Sequence, residues 1–195
     1  HRGLDEATTA TSLLALVLQS ATERHPTRQA LAHALADLYG AGLHVAVGKV
    51  GPRQLLTATL EWPTAALAGG RRQLGRGLAL LRDVLSRPRR SRRDGAALDE
   101  EHVAAQRLNL DRTLRSLDDD TARRAARRCL ALAGPGEVAA REALGRREAI
   151  EGLTPARLGA HHAHLLATAP VDVFVVADLD WPRARAAIAR HLLWP

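Results

Sequence analysis

Histidine is the residue type in this chain that is best suited to bind a transition metal, and it clusters at one place. The chain has nine His, and three of them stand together in the stretch His161-His-Ala-His164. His161 and His164 are three residues apart, so in a helix they share a face, as two metal ligands can. The same stretch contains no Glu that could activate a bound water. We therefore expect these side chains to face solvent or to cap the helix, and a metal site built on them is the alternative.

Carboxylates at Asp99, Glu100 and Glu101 are candidates for general acid–base chemistry. They come directly before a run of apolar residues at helical spacing. Acidic side chains at a helix start interact favourably with the helix dipole. We therefore interpret these three residues as a solvated helix start rather than as a catalytic pair.

Arginine supplies the third candidate chemistry. The net charge is +7, and Lys49 is the one Lys among 28 basic residues. Residues 71–93 carry nine Arg against a single acidic residue, Asp83, and such a stretch can bind phosphates. It has no interleaved aromatic residue for base stacking, and Arg is enriched along the whole chain. A solvated face and loop is the favoured interpretation, and an Arg-rich nucleic-acid-binding domain is the alternative.

The composition indicates one domain that spans residues 1–195. Of these residues 46% are hydrophobic but only 3% aromatic, so the core must consist of Leu, Val and Ala. Cys129 has no second Cys to pair with, and we expect it to be a small buried side chain. No apolar run has the length of a membrane span, and we expect a cytoplasmic protein. Because the chain begins with His1-Arg2-Gly3 and not with Met, we also expect a fragment of a longer chain.

Hydrophobic periodicity predicts the elements that must position these residues. Residues 7–20 are apolar nearly all round, which is typical of a buried helix. A second helix from Pro26 ends near Gly40, and alternating residues over 43–61 predict a hairpin that turns at Gly51-Pro52. The predicted elements that follow are a long helix over Thr64–Arg87, a helix from Asp99 to Leu117, one after Asp120, a short helix over 137–148, one that starts at Pro155, a strand over 171–178 and a last helix over Pro182–Leu193.

This order of elements resembles the zinc domain of the insulinase/pitrilysin metallopeptidases. The resemblance begins with the helix and turn from Ser12 to Thr22 and extends over nearly the whole chain. In that family the first helix reads His-x-x-Glu-His and then, after a few apolar residues, Gly-Thr. The resemblance assigns Ser12 and Leu16 to the two His positions and Ala15 to the Glu position. It assigns Gln106 to the third zinc ligand, a Glu on a later helix. It therefore implies that the zinc ligands and the general base are replaced, with no metal, no cofactor and no enzymatic activity.

The resemblance also implies a fold and a partner. The implied fold is α+β, a metallopeptidase-like (LuxS/mitochondrial-processing-peptidase-like) domain with an antiparallel sheet packed on long helices, lacking the family's first strands. Leu38-Tyr-Gly-Ala41 and the Asp118–Ala122 stretch match landmarks of a bacterial non-peptidase subgroup. Inactive halves in this family pair with active ones around a peptide. The implied partners are a second insulinase-family domain or subunit, which is the active one, and a peptide or unfolded polypeptide, with no membrane and no nucleic acid. An active zinc metallopeptidase with a non-standard site is the remaining alternative.

Overall fold

The computed structural model describes residues 2–3, 7–63, 72–134, 137, 142–178 and 180–192 of the 195-residue chain. Helices dominate these residues, and the strands precede most of them in the chain. The elements in order are β1 (Arg2–Gly3), α1 (Thr8–Ser20), α2 (Arg28–Ala36), β2 (Gly42–Val50), β3 (Arg53–Glu61), α3 (Arg72–Ser86), α4 (Glu100–Asp119), α5 (Thr121–Ala133), a 3-10 turn (Arg147–Ala149), α6 (Pro155–Thr168) and α7 (Trp181–Leu192).

The elements divide into two compact units. Three elements, α1, β2 and β3, contribute residues to both units. The single domain expected for residues 1–195 therefore stays a prediction. None of the described helices is long and apolar enough to cross a membrane. Unit 1 consists of His1–Val17, Ala46–Thr57 and Arg90–Pro170, and unit 2 of Leu18–Val45, Ala58–Arg89 and Val171–Pro195.

The sheet has three strands in the order β1-β3-β2. The predicted hairpin is confirmed: β2 and β3 flank Gly51, whose positive φ of 55° is a conformation that glycine adopts without strain. The sequence did not indicate β1, which is two residues long and pairs antiparallel with β3 through Arg2 opposite Gln54. Segregated strands and helices of this kind confirm the α+β class.

Helix α1 is buried, as its composition predicts. Leu13, Leu14 and Val17 have no exposed surface. Full burial of each such side chain stabilises the fold by roughly 1.5–3 kcal/mol, so the hydrophobic effect fixes this helix strongly. Other fully or nearly fully buried apolar residues of unit 1 are Leu98 just before α4, Val103 and Leu110 on α4, and Leu158 on α6.

Unit 2 is built around α3, which contacts α7. Gly77 of α3 faces the Trp62 ring, which a side-chain Cβ at that position would approach to 3.1 Å, so the close approach favours glycine. Asp83 is buried on the same helix and is paired with Arg24 at 3.6 Å and Arg87 at 3.9 Å. The predicted start of this helix at Thr64 lies outside the described residues.

Helix starts follow the predicted capping chemistry. The Asp99 carboxylate accepts a hydrogen bond from the His102 amide at 3.0 Å, and the Thr154 hydroxyl accepts one from the Arg157 amide at 3.3 Å.

The prediction of a helix over 137–148 is wrong for the described residues of that range, which form only the 3-10 turn Arg147–Ala149. Gly145 interrupts regular helix there with a φ of 84° and lies so close to Thr9 that no side chain fits between them.

Two further expectations are wrong. Residues 171–178 form no strand, because no strand of the described structure lies beside them and β-propensity acts only through neighbouring strands. Cys129 is exposed and not buried. The one half-buried residue among Thr121–Ala133 is Arg127, and Cys129 lies about 200° around the helix from it.

Candidate functional site

Three of the four residues that the resemblance assigns to the zinc-ligand and base positions lie on α1. Ser12 and Ala15 are each only 2% exposed, and Leu16 is half-buried. The Ser12 hydroxyl donates a hydrogen bond to the Thr8 carbonyl at 3.2 Å. Ala15 and Leu16 end in hydrocarbon and can neither bind a metal nor exchange a proton. The face of α1 that would carry the chemistry therefore holds one engaged hydroxyl and two apolar groups.

A glutamine from β3 closes the space beside Ser12. Gln54 is 2% exposed, and its amide nitrogen lies 2.7 Å from the Ala143 carbonyl oxygen and 3.0 Å from the Thr8 carbonyl oxygen. The same nitrogen lies 3.5 Å from the Ser12 hydroxyl, a weak third contact, since an amide has two protons to donate. The two carbonyls fix the orientation of the amide and leave its buried oxygen without a hydrogen-bond partner among the described residues. The position that the resemblance assigns to the first ligand is thus buried and lies beside a neutral amide.

Gln54 is a buried residue beside Ser12 that the sequence interpretation missed. Its signal was present, because Gln54 extends by one position the alternating face of Leu56, Ala58 and Leu60. A polar residue on an otherwise apolar strand face must find hydrogen-bond partners inside the protein. Here it finds them on α1 and in the loop that holds Ala143.

The fourth predicted residue, Gln106, lies on α4. One turn before it, the His102 Nε2 atom lies 3.3 Å from the Val17 carbonyl oxygen, so α4 reaches α1 directly after Leu16. Gln106 is half-buried, and its side-chain oxygen accepts a hydrogen bond from the Asn109 amide at 3.0 Å. A neutral amide that is engaged within its own helix does not replace the charge of a Glu ligand.

The histidine cluster divides between three environments on α6. The His161 Nε2 atom is hydrogen-bonded to the Thr11 hydroxyl of α1 at 2.9 Å. His162 is buried, with 1% of its surface exposed. His164 is exposed, and its backbone carbonyl accepts a hydrogen bond from the Thr168 hydroxyl one turn later. The solvent-facing role expected of the cluster fits His164, whereas His161 and His162 join the helix to the core of unit 1. Nowhere in the described part of the chain do three His, Cys, Asp or Glu side chains gather as a metal would require.

Within the described part of the Arg-rich stretch, several guanidinium groups bind the protein itself. Arg89 donates to the Pro26 carbonyl at 3.0 Å, and Arg90 donates to the carbonyls of Gly95 and Ala96 at 3.2 and 3.1 Å. Arg87 pairs with the buried Asp83. Through these contacts the stretch stabilises the loop that follows α3.

Unit 1 also carries an ion-pair cluster on the exposed side of α4. The Asp111 carboxylate lies 2.7 Å from Arg147 and 2.8 Å from Arg115. The hydrogen bond from Arg147, supported by the charge of Arg115, lowers the pKa of Asp111 below its usual value. The same contact raises the pKa of Arg147. The two Arg side chains are exposed and Asp111 is half-buried, and the ion pairs fasten the 3-10 turn to α4.

The fold is that of a metallopeptidase-like domain, and the assignment of Ser12, Ala15, Leu16 and Gln106 to its metal and base positions stays a prediction. No family model matches the chain. The structure is similar to that of the periplasmic protease PqqL from Escherichia coli, with a TM-score of 0.70 and 13% identity over 98% of this chain and 20% of that one. It is also similar to a conserved protein from Enterococcus faecalis V583, with a TM-score of 0.79 and 21% identity over 85% of this chain and 39% of that one. The predicted metallopeptidase-like fold is confirmed.

In sequence the chain is a homologue of a Bacillus subtilis (strain 168) protein named "Probable inactive metalloprotease YmfF". The two are 26% identical over 184 residues, which cover 94% of this chain and 42% of that protein. The resemblance to a catalytically inactive metallopeptidase homologue is thereby confirmed. The name of this relative agrees with the expectation that the chain is not an enzyme. The chain spans about two fifths of the length of this relative.

Proposed function

We propose that the chain is a non-catalytic metallopeptidase-like domain that assembles with a second, catalytically active insulinase-family domain or subunit and binds peptide or unfolded polypeptide with it. The observation that carries this proposal is the burial of Ser12 beside the Gln54 amide, because a catalytic zinc site needs an open position for water. A domain with the fold of a peptidase and no group for the chemistry contributes through its surfaces.

The physical requirements of zinc chemistry support the proposal. A catalytic zinc needs about three protein ligands and an open position for water, and it needs a base beside that water. Ser12, Leu16 and Gln106 offer a hydroxyl, a hydrocarbon and a neutral amide, and Ala15 offers no base. Ser12 and Ala15 are also buried, so a peptide bond has no open path to these two positions.

The partner and the compartment belong to the same proposal. We propose a cytoplasmic protein whose partners are a second insulinase-family domain or subunit and a polypeptide chain, with neither a membrane nor a nucleic acid as ligand. The use of Arg87, Arg89 and Arg90 in internal contacts supports the last point.

Sedimentation velocity tests the assembly. The purified chain is mixed with an active, zinc-containing insulinase-family peptidase from the same organism, and the expected result is a complex that neither protein forms alone. In a parallel assay, cleavage of a quenched fluorescent peptide should require the partner and stop when a chelator removes its zinc. Chelator-sensitive cleavage by the chain alone, or no complex with the partner, contradicts the proposal.

A further inference from the structure

Helix α5 turns an apolar face toward solvent. Leu130 and Leu132 are 55% and 73% exposed, and none of the residues of the helix is buried. At about 100° per residue, these two Leu stand at the two edges of an apolar arc that is about 160° wide. The residues of this apolar face are Ala122, Ala125, Ala126, Cys129, Leu130, Leu132 and Ala133. Cys129 lies near the middle of the face and is exposed as well.

The opposite, polar side of α5 attaches the helix to the rest of unit 1. Arg127 is the half-buried residue of this helix, and its guanidinium pairs with Asp118 at 2.9 Å and with Glu142. A helix of 13 residues is only marginally stable in water by itself, because most helical stability in proteins comes from packing of the apolar face. In the described structure every residue of that face of α5 is exposed, and contiguous exposed apolar groups mark interaction surfaces.

Two arginines line one edge of the apolar face. Arg124 and Arg128 are one turn apart and follow the edge at which Leu132 lies. The other two Arg of the helix are paired with acidic side chains, whereas no ion pair or side-chain hydrogen bond joins Arg124 or Arg128 to a described residue. The helix itself has no Asp or Glu. Uncompensated positive charge therefore lies directly beside the open apolar face.

We propose that the apolar face of α5 is a docking surface for an amphipathic helix of the assembling partner, whose carboxylates pair with Arg124 and Arg128. The inference rests on the proposed function, because it assigns the surface through which that partner is held. An apolar stripe of helical period is matched by the apolar stripe of a second helix. The small side chains between Leu130 and Leu132 let the two helix axes approach to roughly 8 Å.

Charge and side-chain size decide against two other occupants. A second copy of the chain would place the four Arg of one α5 against the four of the other with no carboxylate between them, and like charges across an interface are unfavourable. Helices that lie on a membrane surface bury Trp, Phe and Leu, whereas α5 has no aromatic residue and mostly Ala on its apolar face. An acidic amphipathic helix satisfies both the charge and the shape of the surface.

The rate at which Cys129 is alkylated measures whether the face is covered. Cys129 is the one Cys of the chain, so its reaction with iodoacetamide needs no introduced label. The reaction should be fast in the free chain and about tenfold or more slower in the complex with the active insulinase-family peptidase. The helix probe is a synthetic peptide with Leu and Ala at helical spacing and Glu beside the Leu stripe, and at saturation it should slow the reaction equally. The same peptide with a central Pro should not, because Pro breaks the helix.

Reversal of charge tests the pairing with the partner's carboxylates. Replacing Arg124 and Arg128 together by Glu should weaken binding of the Glu-flanked peptide by about tenfold or more and make a Lys-flanked peptide the better ligand. Replacing Arg92 and Arg93 together by Glu changes the net charge by the same amount in the loop after α3. This matched control should leave the preference for the Glu-flanked peptide unchanged.

The apolar part of the surface is tested by Leu132→Asp, which should abolish binding of the Glu-flanked peptide. Val50→Asp is the matched control, because Val50 is 64% exposed on β2 and its substitution should leave binding unchanged. Both residues are exposed, so neither substitution should unfold the chain, and hydrogen-exchange protection of α1 reports that each variant is folded.

Several outcomes would overturn the inference. These are slow alkylation of Cys129 in the free chain, no effect of the Glu-flanked peptide, and equal effects of the Glu-flanked and Lys-flanked peptides. Slowing that rises with the concentration of the chain alone would identify a second copy as the occupant, and slowing by phosphatidylserine vesicles alone would identify a membrane.

The two proposals fail separately. If Leu132→Asp forms the complex with the active peptidase as tightly as the wild type does, the docking surface is wrong and the proposed assembly stands. If the Glu-flanked peptide protects Cys129 but no complex with the peptidase forms, the proposed assembly is wrong and the face of α5 still binds an acidic helix.

Discussion

Restoring the family motif on α1 should destabilise the chain without creating a zinc site. The perturbation is the triple substitution Ser12→His, Ala15→Glu and Leu16→His. A His at position 12 must displace the Gln54 amide from a site that is 2% exposed, and overpacking of this kind costs roughly 1–3 kcal/mol. A Glu at position 15 buries a carboxyl with no prepared partner, which costs roughly 1–3 kcal/mol and more if it ionises.

Leu16 is half-buried, so its replacement by His adds only about 1 kcal/mol of lost apolar burial. The three costs together amount to roughly 3–7 kcal/mol, a large part of the roughly 5–15 kcal/mol that stabilises a typical domain. Gln106 still supplies no third ligand, and nothing orients the new imidazoles. We therefore expect a large fall in the free energy of unfolding and no tight binding of zinc.

Urea denaturation of the triple variant and of each single variant measures these costs, and titration with zinc measures the affinity. Leu108→His is the matched control, because Leu108 is 61% exposed on α4 and its substitution should change stability by less than about 0.5 kcal/mol. Tight zinc binding by the triple variant with an unchanged unfolding midpoint would refute the reasoning, since it would mean that Ser12 and Leu16 already face an open cleft.

Three further predictions follow from single contacts. Gln54→Leu should cost about 1 kcal/mol in urea denaturation, because two carbonyls lose their donor while the unpartnered amide oxygen is also removed; a gain in stability would contradict the role given to Gln54. Because its pKa is lowered in the folded state, Asp111 should contribute stability above the pKa of an unfolded Asp and lose it as pH falls through the folded value. The difference in melting temperature between the wild type and Asp111→Asn should therefore vanish in acid, and a difference that grew in acid would reverse the sign. Replacing Arg92 and Arg93 by Ala should leave only a weak, sequence-blind affinity for nucleic acid. Fluorescence anisotropy should no longer detect this affinity near physiological salt. Tight specific binding by the wild type at that salt would favour the Arg-rich alternative.

Local patterns predicted the elements that depend on local chemistry. The apolar composition of α1 predicted its burial, Asp99 and Thr154 predicted the starts of α4 and α6, and Gly51 predicted the turn of the hairpin. These features succeed because a cap, a turn or an apolar face is encoded within a few neighbouring residues. The assignment of Ser12, Ala15 and Leu16 to metal and base positions rests instead on the family resemblance, aligned at Thr22, and stays a prediction.

Features that depend on distant residues were not predictable. The strand assigned to residues 171–178 has the right composition but no neighbouring strand, and strand formation needs one. Cys129 lies on an apolar stripe that periodicity cannot assign to the core or to the surface. Gln54 acts through Thr8 and Ala143, which are 46 and 89 residues away in the chain. In each case the deciding contact is tertiary.

The zinc content of the purified chain tests the central claim most directly. Elemental analysis after gel filtration should find no stoichiometric zinc, because Ser12, Ala15, Leu16 and Gln106 present no metal-binding set. His161→Ala and His164→Ala should leave the measured zinc unchanged. One tightly held zinc per chain, lost when His161 and His164 are replaced, would contradict the account and identify an active site of non-standard composition.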